Sequence, residues 1–175
     1  MKDLNFSPVK LAREVLETYL EEGEMPELPA VDIRAGAFVS IKTAEEEELR
    51  GCIGTIEPCT DSLAEEIAQN AVSAACKDPR FSSLRKEELA GVKISVDVLG
   101  EKEAVDDLSQ LDPKRYGVIV EKGGRRGVLL PDLEGVDTAR RQLNIACQKA
   151  GIETGELQQG EVCIYRFPVR RYEEE

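Results

Sequence analysis

Apolar residues recur along this chain with two different periods, and the change from one to the other marks its elements. Val9, Ala12, Leu16, Tyr19 and Leu20 return at helical spacing behind Ser7 and Pro8, a capping serine with proline at the first helical position. Gly23 marks the end of that helix. Residues 24–32, with Pro26 and Pro29, read as an extended linker into a strand over 36–43. The acidic run 44–48 reads as an exposed turn, and LRGCIGTI continues as the partner strand of a hairpin.

Ser62-Leu63-Ala64-Glu65 has the form of a capping box, and Leu63, Ile67, Ala71, Ala74 and Ala75 make a narrow apolar stripe suited to close packing on a sheet. That helix is expected to stop near Asp78-Pro79, with a short helical turn over 83–90 closed by Gly91. Val92, Ile94, Val96 and Val98 then alternate with Lys93, Ser95 and Asp97, the period of a half-buried antiparallel strand. Residues 100–116 are polar and irregular, a loop or lobe connection. YGVIVEKGGRRGVLLP supplies two strands joined at Gly123-Gly124, where positive φ suits a two-residue turn. Asp137 or Thr138 caps a helix carrying Leu143, Ala146, Cys147 and Ala150 on one face, Gly151 ends it, and EVCIYRF is the last strand. Hairpins and helices alternate without a strand-helix-strand repeat. The fold class is therefore α+β, mainly antiparallel sheets flanked by helices, and 175 residues fit one domain, or two small lobes sharing a core. A disordered tail is expected only at 172–175.

Composition narrows the chemistry. The formal net charge of −12 repels phosphate backbones and anionic lipid, which disfavours nucleic acid as a partner. Small basic spots, Arg125-Arg126 and Arg140-Arg141, can hold an anion locally, or are solvated hairpin and helix surface. Five cysteines at scattered spacings, with no C-x-x-C pair, read as reduced thiols. With no signal peptide and no membrane-length apolar run, the expectation is a soluble, cytoplasmic protein. The sequence contains no histidine, which removes Cys-His and Ser-His-Asp machinery and any His-based metal site. No metal signature or nucleotide-binding loop is present, and no cofactor is implied.

The candidate chemistry gathers at LRGCIG, residues 49–54. Period-2 alternation puts Arg50, Cys52, Gly54 and Ile56 on one face and Leu49, Gly51, Ile53 and Thr55 on the other. A guanidinium beside Cys52 favours thiolate, and glycines at 51 and 54 let a backbone or ligand approach. The alternative is that the glycines mark a bulge or crowded crossing and the cysteine fills space. Asp78-Pro79-Arg80-Phe81 is a second point of interest. Asp78 can bond local amides and Arg80 can sit near the helix's negative end, or Arg80 can point toward Arg50 and receive an anion. Cys59, Cys76, Cys147 and Cys163 read as packing residues.

The order of these segments resembles the AMMECR domain family, in the stand-alone prokaryotic form that is the A component of the AmmeMemoRadiSam system. The pieces that carry the resemblance are GAFVSIK at 36–42, LRGCIG at 49–54, SLAEEIAQNAVSAACKDPRF at 62–81, EEL and ISVDVL within 87–99, YGVIVEKGGRRGVLLP at 116–131 and QKAGI at 148–152. The resemblance implies two closely packed α+β lobes with LRGCIG at the cleft between them. It also implies co-encoded partners, a Memo-like protein and a radical S-adenosylmethionine protein. Two functions are then expected. One is an accessory module whose cleft, lined by Arg50, Gly51, Gly54, Asp78 and Arg80, binds a partner or small substrate. The other is an enzyme in which Cys52 is the catalytic thiol acting on a small anionic substrate.

Overall fold

A computed structural model describes residues 4–175, which divide into two compact units. The first comprises the chain up to Leu99 together with Arg170–Glu175, and the second is Gly100–Val169.

In the first unit, α1 (Pro8–Glu22) begins as its sequence dictates: the Ser7 side chain accepts the Lys10 amide, and Gly23 closes the helix at φ 79°. β1 (Ala37–Thr43) and β2 (Leu49–Gly54) form the expected hairpin, with Ser40 opposite Cys52 and Ile41 opposite Gly51. A register shift between Ile41 and Lys42 makes the hairpin irregular next to the acidic turn. α2 (Leu63–Cys76) starts at Ser62, whose side chain accepts the Glu65 amide. The Glu65 carboxylate takes the amide of Asp61, so the capping box closes on the residue before the cap. A 3-10 turn over Lys86–Gly91 leads into β3 (Val92–Leu99), antiparallel to β1 along its length. The order of these strands is β2-β1-β3. One sheet face is covered by α1 and α2, and Val39, Ile41, Ile94 and Val96 meet Leu16, Leu63, Ile67 and Ala71 in a continuous core.

The alternation in β3 has one exception. Asp97, expected on the polar face, is buried because Arg171 grips its carboxylate with two bonds, at 2.8 and 3.0 Å.

In the second unit, β4 (Glu103–Ala104), within the stretch expected as a loop or lobe connection, pairs with β7 (Cys163–Glu173). β5 (Tyr116–Lys122) and β6 (Arg125–Leu129) form a hairpin whose turn glycines, Gly123 and Gly124, have φ of 55° and 79°. β7 lies on the other side of β5. α3 (Ala139–Ala150), capped by Thr138 and ended by Gly151, packs Leu143, Ala146 and Cys147 onto Val118, Val120 and Leu129. A short α4 (Thr154–Gln158) follows.

Two boundaries differ from expectation. β7 continues past residue 167 through Pro168 to Glu173. Residues 172–175, expected as a disordered tail, include the end of that strand and the half-buried anchor Glu174, whose amide and carboxylate both bond Ile94. Arg13 holds the same carboxylate through Nε at 2.7 Å. The charged composition of the terminus suggests solvent, but the Arg13 guanidinium and the Ile94 backbone receive it. The class is α+β, as the alternation of hairpins and helices implied.

Candidate functional site

Alternation along β2 holds as read: Gly51 turns toward α2, and Cys52 turns to the other side of the sheet. Gly51 is glycine because a Cβ there would lie 2.2 Å from the Ala74 carbonyl oxygen. Gly54 is glycine because a Cβ would meet the Phe38 ring at 2.2 Å. Both positions therefore record close packing, the crowded-crossing alternative, and Gly51 is on the face away from the thiol.

Cys52 is a half-buried free thiol whose sulfur accepts the Ser40 hydroxyl at 3.2 Å. Ser40 in turn lies opposite Ser95 on β3, so a short polar row crosses three strands on the helix-free face. The main chain of Cys52 is held as well: its amide donates to Asp78 Oδ2 at 2.9 Å, and its carbonyl accepts Arg80 Nη2 at 3.3 Å.

Arg50 and Arg80 divide the roles expected of a single cation. Arg50 turns to Glu88, at 3.1 Å from Nε to Oε1, and to the Ser82 carbonyl at 2.8 Å, tying β2 to the segment after α2. Arg80 is the guanidinium that reaches Cys52. It also closes on Asp78 with its amide at 3.1 Å, Nε at 3.0 Å and Nη2 at 2.7 Å, while its side chain stays 54% exposed. The Arg80 bonds, with the Cys52 amide, hold the Asp78 carboxyl far below the usual carboxylate range despite its burial. Asp78 is consequently a fixed anion and a weak proton acceptor.

A second polar cluster supports the end of β2. Glu66, fully buried on α2, accepts the Thr60 hydroxyl at 2.8 Å and the amides of Cys59 and Thr60 at 2.8 and 2.9 Å, and it also binds the Thr55 hydroxyl. Asn70, one turn on, donates to the Ala37 carbonyl and Thr55 Oγ1. Burial pushes the Glu66 carboxyl up, but the bonds from Thr55, Thr60 and the two amides outweigh it and the net shift is downward. Sequence reasoning passed over both residues. The signal was there: with Leu63, positions 66 and 70 lie on the buried side of α2, and a polar residue there requires a partner. Ser40 carried no such signal, because its pairing with Cys52 depends on the register shift in the hairpin.

The basic pairs belong to the second unit. Arg125 donates to the Gly151 carbonyl and Glu156, and Arg126 pairs with Glu121, so that pair is hairpin surface. Arg140 and Arg141 are exposed on the first turn of α3, beside an open depression of about 560 Å³ also lined by Thr138, Asn144, Ile145 and Gln148. Among the described residues no group of three or more Cys, Asp or Glu comes together to hold a metal ion. Likewise, none of their helices is long and apolar enough to cross a membrane.

A family model described as AMMECR1 matches residues 9–172. A Thermotoga maritima protein is 48% identical over 171 residues, covering 94% of this chain and 95% of its own length. A Clostridium acetobutylicum protein is also 48% identical, over 95% of this chain but only 36% of its own length. The crystal structure of an uncharacterized protein, PH0010, from Pyrococcus horikoshii is similar with a TM-score of 0.86 and 31% identity, covering 96% of this chain and 90% of that one.

Proposed function

This chain belongs to the AMMECR1 family, and from that premise we propose that it is an accessory binding component whose Cys52 face receives a partner protein or a small anionic substrate. The observation that carries this reading is the state of Asp78. The carboxylate bonded to the Cys52 backbone is saturated by Arg80 and held deprotonated, so it serves as a fixed part of the scaffold rather than a base. A site with a thiol, a serine hydroxyl and a half-exposed guanidinium, whose carboxylate is a weak proton acceptor, is suited to recognition.

The partners in this reading are a Memo-like protein and a radical S-adenosylmethionine protein, as the motif resemblance implies. The Clostridium acetobutylicum relative supports a role within a larger assembly, since there the homologous region is joined to almost twice its length of further chain. A net charge of −12 supports protein or small-molecule partners over nucleic acid, and five free thiols support a cytoplasmic setting.

A second reading, a Cys52-dependent enzyme acting on a small anionic substrate, is favoured by the Ser40 hydroxyl donated to the sulfur and by the Arg80 guanidinium on the carbonyl of the same residue. Two measurements separate the readings. Binding of the two co-encoded proteins is compared for wild type, Ser40→Ala and Cys52→Ala. Accessory binding predicts a loss of about tenfold or more, roughly 1.4 kcal/mol, and equal affinity in all three overturns it. Iodoacetamide labelling is followed with pH: rapid modification of Cys52 well below pH 8 selects the enzyme reading.

A further inference from the structure

β2 ends the strand order of the first unit, and among the described residues its pairing is with β1 alone. The Thr55 amide bonds the Ala37 carbonyl at 3.0 Å, which fixes the alternation of the ladder. Residues 51, 53 and 55 turn their backbone groups toward β1, and residues 52 and 54 turn theirs outward, residue 50 falling at the register shift. An outward row of this kind is a template for another strand, and the partner available to every such edge is its own twin. Two copies of β2 related by a two-fold axis through Cys52 would pair antiparallel in a self-complementary register.

The strand carries little to prevent this. Residues 51–56 contain no charge and no proline, and the flanking Arg50 is drawn away to Glu88 and Ser82. Protection comes instead from the segment after α2. A neighbouring strand in an antiparallel hydrogen-bonded pair would accept the Cys52 amide and donate to the Cys52 carbonyl from one residue. Asp78 Oδ2 does the first at 2.9 Å and Arg80 Nη2 the second at 3.3 Å, and the two side chains are bridged to each other at 2.7 Å.

We propose that the Asp78–Arg80 pair is a side-chain substitute for a neighbouring strand, blocking the β2 edge against pairing with a second copy of this chain. The block is rigid because Asp78 is 4% exposed, Pro79 fixes the turn between the pair, and Arg50 holds the backbone just beyond it. It shares Asp78 and Arg80 with the binding reading but concerns the edge of the strand rather than the face that carries the sulfur, and self-association is read without any partner, so the two fail separately.

The test is analytical ultracentrifugation of wild type, Asp78→Ala and Arg80→Ala over roughly a hundredfold range of concentration. Hydrogen exchange of the Cys52 amide is read alongside. Wild type is expected to stay monomeric with a protected Cys52 amide. Asp78→Ala is expected to dimerise, with exchange at Cys52 fast when dilute and slowed at least tenfold as concentration rises. Arg80→Ala, which frees the carbonyl alone, is expected to form a weaker dimer, and it carries the test if Asp78→Ala does not fold by circular dichroism. A folded Asp78→Ala chain that stays monomeric overturns the proposal. So does a dimer that leaves Cys52 unprotected, or a wild-type chain that already pairs through residues 50–54.

Discussion

Glu66 shows how one side chain can organise a turn. Its carboxylate gathers two hydroxyls and two amides from residues 55–60, tying that turn to α2. Glu66→Gln keeps the shape but removes the charge and turns one acceptor into a donor. The expected cost is about 1–3 kcal/mol in urea unfolding at pH 7. The pH dependence follows from the downward shift. A carboxyl with a lower pKa when folded adds stability that is full above its unfolded value, about 4.3, and disappears as pH falls through the folded value. Wild type should therefore lose stability as pH falls below about 5. Glu66→Gln should show a shallower slope, the remainder coming from groups such as Asp78, which shifts in the same direction. Equal slopes in the two proteins would show that Glu66 does not set the acid response.

The β1–β2 hairpin and α2 meet through a missing side chain. Gly51 faces the helix, and the Ala74 carbonyl occupies the place of a Cβ at 2.2 Å. Gly51→Ala should force strand and helix apart, costing about 1–3 kcal/mol in thermal or urea unfolding, the range for overpacked interiors. A substitution within about 0.5 kcal/mol of wild type would mean that α2 slides freely on the strand. The reading of Gly51 and Gly54 as openings for a ligand was drawn from sequence, where a glycine that admits a helix and one that admits a substrate look the same. The helix starts at Ser7 and Ser62 and the Gly123-Gly124 turn were legible because each depends on a few neighbouring residues. The short α4 was missed because five residues carry too little periodicity to register.

At the scale of the whole chain, each unit has its own core, and β7 contributes to both, its last residues returning to the first unit. Glu174 secures that return through Arg13 and Ile94. Removing residues 174 and 175 should leave Arg13 without its carboxylate and Ile94 without its partners, lowering stability by about 1–3 kcal/mol. Exchange at the Ile94 amide should rise first, and an unchanged Ile94 amide would mean that the terminus is not an anchor. Family, fold class, helix caps, the hairpin turn and the face assignment of Cys52 were determined by the sequence itself, since they rest on local chemistry and on periodicity. The burial of Asp97, the anchoring of Glu174 and the partners of Cys52 were decided only by tertiary structure. Each depends on residues far away along the chain, and the Ser40–Cys52 pairing depends on a register shift of a single residue. A buried charge is stable only where folding delivers its counter-charge or donors, and the order of residues does not record which distant group will arrive.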